Sequence, residues 1–166
     1  MIKIVIKNGL ISASILVICS IVLWGIGGFD TFDYRRMEMF GYLIMLAALS
    51  FVFVGIRQYK WSADNRVGFS EALKVGLLIV IFPAIAFFIY TAIFMNVMGE
   101  DFLQYSIAQM KTSMPAKDYE KYLVEINKNK DMYLNPFFQG FIMFITVYAI
   151  GFVVALVSTW FITRKK

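Results

Sequence analysis

GIRQYKWSADNRVGFSEALKVG, residues Gly55 to Gly76, is the stretch whose reading decides the fold. It is a basic, turn-forming island between two long apolar blocks. Arg57, Lys60 and Arg66 hold it in water, while Tyr59 and Trp61 suit headgroup depth. Asn65 to Gly68 reads as a turn, with Asn65 or Ser70 placed to cap the helix that follows. Apolar blocks that end at such an island and are long enough to cross a bilayer read as membrane spans joined by a short hairpin.

Composition supports that reading along the whole chain. Its 166 residues are 60% hydrophobic and 17% aromatic, more apolar surface than a soluble domain of this size can bury. The net charge of +5 sits at the edges of the apolar runs, where membrane orientation needs it, so no nucleic-acid partner is read from it. The expected fold is an all-α membrane domain over residues 1 to 166. Its four spans are about 5–27, 37–56, 69–97 and 136–162, with an amphipathic helical insert at about 99–135 between the third and fourth.

Each span carries small residues suited to close helix packing in lipid: Gly9, Ser12, Ala13 and Cys19 in the first, Gly41, Ala47, Ala48 and Ser50 in the second, Gly140, Gly151 and Ala155 in the fourth. Phe29, Phe32 and Tyr34 after the first span fit an interfacial aromatic belt, and Trp160 with Arg164, Lys165 and Lys166 anchors the end of the fourth. Lys3, Lys7 and the apolar run after them resemble a secretion leader, but the run is long and Trp24 stands beside the nearest small-residue pair, so the segment is read as a retained span. Residues 69–97 make a helix of about 43 Å, longer than the roughly 30 Å of hydrocarbon. Pro83 near its middle deprives the Ile79 carbonyl of its usual donor, and a structural bend is expected there. In the insert, Leu103, Ile107 and Met110 share one face, as do Tyr119, Tyr122, Leu123 and Ile126 after Pro115, so two short amphipathic helices are expected, Ser113 and Pro115 marking the start of the second.

An even number of spans puts both termini on one side. That side carries nine of the basic residues (Lys3, Lys7, Arg57, Lys60, Arg66, Lys74 and the last three), against seven on the other side, which also carries nine of the eleven acids. The basic excess near span ends predicts cytoplasmic termini, in a bacterial inner membrane.

The GIRQYK ending of the second span and the GFSEALKVGL entry to the third, with the four-span order and the polar insert, resemble the domain of unknown function 4199 family. The resemblance implies a small bacterial inner-membrane protein, and it carries over no activity and no catalytic residue.

Sites of chemistry are scarce. No span has an ionisable residue near its middle, where coupled transporters need one. Ser12, Ser14, Ser50, Thr91, Thr146 and Tyr148 are the deepest polar groups, and each is read as bonding a helix carbonyl or a neighbouring helix. There is no histidine and a single cysteine, Cys19, which is read as a small buried hydrophobe, and the ten methionines are scattered. No metal site, cofactor or enzymatic activity is expected. The one dense polar constellation is Arg57, Lys60, Arg66, Glu71 and Lys74, with Glu71 placed to meet Lys74 on one face or Arg57 across the hairpin. It is read as a membrane anchor and as a candidate cytoplasmic contact patch. The role expected is a structural or accessory interaction subunit, its partners being the bilayer and a second copy or another membrane protein. The alternative is a small oligomeric transporter or channel for uncharged or apolar solutes.

Overall fold

The structure, a computed structural model, describes residues 1–27, 34–64 and 66–164. The readings placed on Phe29, Phe32, the Tyr34 ring, Asn65, Lys165 and Lys166 lie outside the described residues and side chains. Six helices account for nearly all that is described: α1 (Ile2–Gly27), α2 (Tyr34–Ser62), α3 (Phe69–Ser113), α4 (Ala116–Lys128), α5 (Lys130–Leu134) and α6 (Pro136–Arg164). Four of them, α1, α2, α3 and α6, are long and apolar enough to cross a membrane.

The four long helices pack as a rhombus. α2 and α3 touch each other, and each touches both α1 and α6, whereas α1 and α6 do not meet among the described residues. Along the short diagonal a Cβ built on Gly55 of α2 would lie 2.3 Å from Ile79 Cδ1, and one on Gly76 of α3 2.9 Å from Ile56 Cδ1; Leu49, Val52 and Ile56 of α2 and Val75, Ile79 and Val80 of α3 are all fully buried. On α2 these positions are three and four apart, and on α3 they belong to the run Ala72, Val75, Gly76, Ile79, Val80 and Pro83, so one stripe of each helix faces inward. Apolar packing alone gains little where the surroundings are as apolar as the core. Close backbone approach therefore carries the assembly: a Cβ built on Gly151 would lie 2.3 Å from Val80 Cγ1, and one on Gly140 would lie 2.9 Å from the Phe88 carbonyl oxygen. A side chain at either position would push α6 off α3.

The small-residue faces expected of the first and fourth spans largely pack inward, with Gly9, Ser12, Ala13, Gly140, Gly151 and Ala155 all buried; Cys19, expected to be buried, is only half-buried. The second span differs. Ala48 is buried but Ala47 and Ser50 are exposed, because residues one and two positions from Ala48 lie on other sides of the helix, whereas Ala47 and Ser50, three apart, share an outer face. Met45, Ala48, Leu49, Val52 and Ile56 are the packed face instead.

Two boundaries move. α2 runs to Ser62, so Arg57 to Trp61 are its last turns and the turn itself shrinks to Ala63 through Gly68. Asp64 closes that turn at φ 49, in the left-handed region that aspartate tolerates better than most residues. Gly68, not Ser70, is the N-cap of α3, and it offers no side-chain hydrogen bond. The second change is larger: α3 does not stop near Val97 but continues for 45 residues to Ser113, a rod of about 67 Å. The first of the two expected amphipathic helices is thus the outer end of α3, and the helix also runs unbroken through the buried Pro83. The helix after Pro115 is present as α4, with Pro115 as its N-cap; Ser113 caps nothing, its hydroxyl donating back to the Gln109 carbonyl oxygen at 2.9 Å. α4 folds back onto α3, burying Ile126 and Leu103, and α5 returns the chain to α6.

Candidate contact face at the basic end

The ends of α2 and α6 and the starts of α1 and α3 meet at one end of the bundle. Asn8 ties the first two elements together. Its side-chain amide donates to the Ile4 carbonyl oxygen at 2.8 Å and to Gln58 Oε1 at 2.9 Å, and with 1% exposure both bonds answer a cost of burial that would otherwise be large. One turn further in, the Ser12 hydroxyl donates to the Ala48 carbonyl oxygen at 2.8 Å. Lys60 joins α2 to α6, its Nζ donating to the Ile162 carbonyl oxygen at 2.7 Å. That carbonyl belongs to the last turn of α6, where the helix dipole favours a cation.

The sequence-derived patch is therefore not one cluster but several separate arrangements. Arg57 stacks on Trp61, the guanidinium carbon 4.5 Å from the ring centroid. Glu71 accepts a hydrogen bond from the Tyr59 hydroxyl, not an ion pair from Arg57 or Lys74. The α2–α3 hairpin is thus closed by a phenol and a carboxylate. Lys60 faces inward to α6, while Arg66 in the turn and Lys74 on α3 are exposed. A second stack repeats the first at the end of α6, with Arg164 4.6 Å over Trp160. Sequence reading placed Trp61 and Trp160 at the interface but did not pair either with its arginine four residues away. It also passed over Asn8 and Gln58, although Asn8 is the only carboxamide in α1.

Two depressions lie elsewhere. An apolar cleft of about 480 Å³ opens sideways between α1 and α3, lined by Val17, Ile21, Trp24, Tyr90, Ile93 and Phe94 among others. A polar one of about 480 Å³ lies where α3 meets α5 and the start of α6, beside Asn96, Glu100 and Asp101. Among the described residues no group of three or more Cys, Asp or Glu is placed to hold a metal ion. The deep hydroxyls do not converge: Ser50 and Thr146 bond carbonyls of their own helices, and the Thr159 hydroxyl is buried between helices without a partner among the described residues.

With this geometry in hand, the family pattern of the protein of unknown function DUF4199 matches residues 7–164. The chain belongs to the DUF4199 family. Comparison with curated proteins and comparison with solved structures each returned no match. In this DUF4199 chain the match begins within α1 and runs to the end of α6, taking in the hairpin and the whole α3–α5 projection. Its functional site has to be argued from its own side chains, and the basic end is where polar groups from α1, α2, α3 and α6 are brought together.

Proposed function

We propose that this DUF4199 protein is a non-enzymatic accessory or scaffolding subunit of a bacterial inner membrane, with both termini in the cytoplasm. The observation that carries the reading is the direct contact of α2 with α3 across the bundle, sealed by Leu49, Val52, Ile56, Val75, Ile79 and Val80. A monomer filled in this way is closed along that diagonal among the described residues. What it offers to other molecules is surface: lipid-facing helix sides, a basic rim at one end, and a helical projection of α3 and α4 at the other. The excess of basic residues at the rim supports its cytoplasmic placement. Purification in mild detergent after in-cell cross-linking, followed by mass spectrometry, tests the proposal. Reproducible recovery with a second copy or a particular membrane protein is the expected result, and recovery only as an isolated monomer would sink it.

A second reading is favoured by one observation, the cleft between α1 and α3. In an oligomer, a cleft lined by Ile21, Tyr90, Ile93 and Phe94 suits an apolar or uncharged solute. Flux assays in proteoliposomes with a broad solute panel decide it, and absence of flux across the panel removes it.

A further inference from the structure

We propose that the basic end holds anionic phospholipid headgroups in two arginine–tryptophan clamps, Arg57 with Trp61 and Arg164 with Trp160. Each guanidinium lies over an indole, at 4.5 Å and 4.6 Å. A guanidinium held over an indole by its charge still carries its N–H donors along the edge of a rigid planar fork. Neither arginine donates a hydrogen bond to any acceptor among the described residues. An edge of parallel N–H groups matches phosphate oxygens two at a time, which a lysine ammonium cannot do.

The surroundings select what can fill these edges. Trp61 and Trp160 are 58% and 47% exposed at the last turns of lipid-facing helices, the position in which an indole sits at headgroup level. Phosphate is the anion supplied at that level. The acids that would otherwise compete are few or engaged: Glu71 is bonded by Tyr59, leaving Asp64 as the other acid of this end. Against these two stand seven described basic residues, Lys3, Lys7, Arg57, Lys60, Arg66, Lys74 and Arg164. Lys60, bonded to the Ile162 carbonyl oxygen, ties the ends of α2 and α6 and so holds the two clamps in a constant relation. A zwitterionic lipid brings its own ammonium into this positive field, whereas a lipid with net negative charge does not. Phosphatidylglycerol therefore fits the site and phosphatidylcholine does not. The inference needs only that the four long helices lie in a bilayer. It holds whether the protein is a scaffold or a transporter.

The test is native mass spectrometry of the full-length protein released from detergent with defined mixtures of phosphatidylglycerol and phosphatidylcholine. Phosphatidylglycerol is expected to be retained preferentially. Arg57→Gln and Arg164→Gln are each expected to lower its retention roughly fivefold, the change that about 1 kcal/mol per basic residue corresponds to. Arg57→Lys and Arg164→Lys are expected to restore only part of it, and Trp61→Leu to lower it while every charge is kept. The tryptophan variant stands independently if an arginine variant fails to fold. Equal retention of the two lipids, full restoration by lysine, or displacement of phosphatidylglycerol by soluble poly-glutamate at matched charge would each overturn the proposal. The last of these would reassign the face to an acidic protein.

Discussion

Gly151 and Gly140 set how closely α6 approaches α3, and their substitution separates two effects of opposite sign. Replacing a helix-interior glycine by alanine gains up to about 1 kcal/mol in backbone propensity, but overpacking a tight contact costs about 1–3 kcal/mol. At Gly140 the obstacle is the Phe88 carbonyl oxygen, 2.9 Å from a built Cβ, and at Gly151 it is Val80, whose Cβ is 3.2 Å away. A backbone atom and a β-branched side chain fixed in a helix cannot swing aside. Gly140→Ala and Gly151→Ala are therefore expected to lower the melting temperature in detergent. Gly41→Ala, with nothing within 4 Å of its built Cβ, is expected to leave it unchanged or raise it. The Asn8 to Gln58 hydrogen bond invites a double-mutant cycle. Asn8→Ala, Gln58→Ala and the double variant should give a coupling energy of about 0.6–1.7 kcal/mol, the range for polar pairs between membrane helices. A coupling near zero would reduce Asn8 to its bond with the Ile4 carbonyl oxygen. Asn8 was visible in the sequence as a lone amide in an apolar run, but its partner lies fifty residues away and no local pattern names it.

The element on which the sequence reading and the structure differ most is α3. Gly99, Glu100 and Asp101 mark the change from apolar to polar composition, which in the sequence reads as the end of a helix. It marks the end of the apolar part instead. One glycine costs a helix only about 1 kcal/mol, and Glu, Gln, Met and Lys, all present between Gly99 and Ser113, are good helix formers in water. Single-cysteine labelling from Gly99 to Ser113, in a background with Cys19 replaced by alanine, checks this. Helical periodicity is expected, with Leu103 and Ser106 protected and Asp101, Gln104, Ala108 and Lys111 reactive; protection that fails to repeat every three to four residues would restore a break near Gly99. α4 packs on α3 and α5, and Ile126, 2% exposed, is its one buried residue. Ile126→Ala removes a buried side chain at a cost of about 2–5 kcal/mol, more than a 13-residue helix recovers from its own propensity. The expected result is faster proteolysis confined to Ala116–Lys128, with the melting of the four long helices unchanged.

At the scale of the whole molecule, four helices are long and apolar enough to cross a membrane, and four crossings would put residue 1 and residue 164 on one side and the tip of α3 on the other. Reporter fusions at both ends and an impermeant label on a cysteine at Thr112 should therefore give opposite compartments, and agreement between them would remove a crossing. The sequence by itself determined the class, the number of spans, the polar hairpin after α2 and the family, because these depend on runs of apolar residues and on the cost of exposing backbone or charge to lipid. Tertiary structure decided the rest. It placed α2 against α3 across the bundle, turned Ala47 and Ser50 outward, gave Lys60 the Ile162 carbonyl and Glu71 the Tyr59 hydroxyl, and set both arginines on their tryptophans. Apolar helices in lipid are not sorted by hydrophobicity, since every face is apolar. Which faces meet is settled by backbone approach and by a few polar pairs, and both are properties of residues distant in the chain.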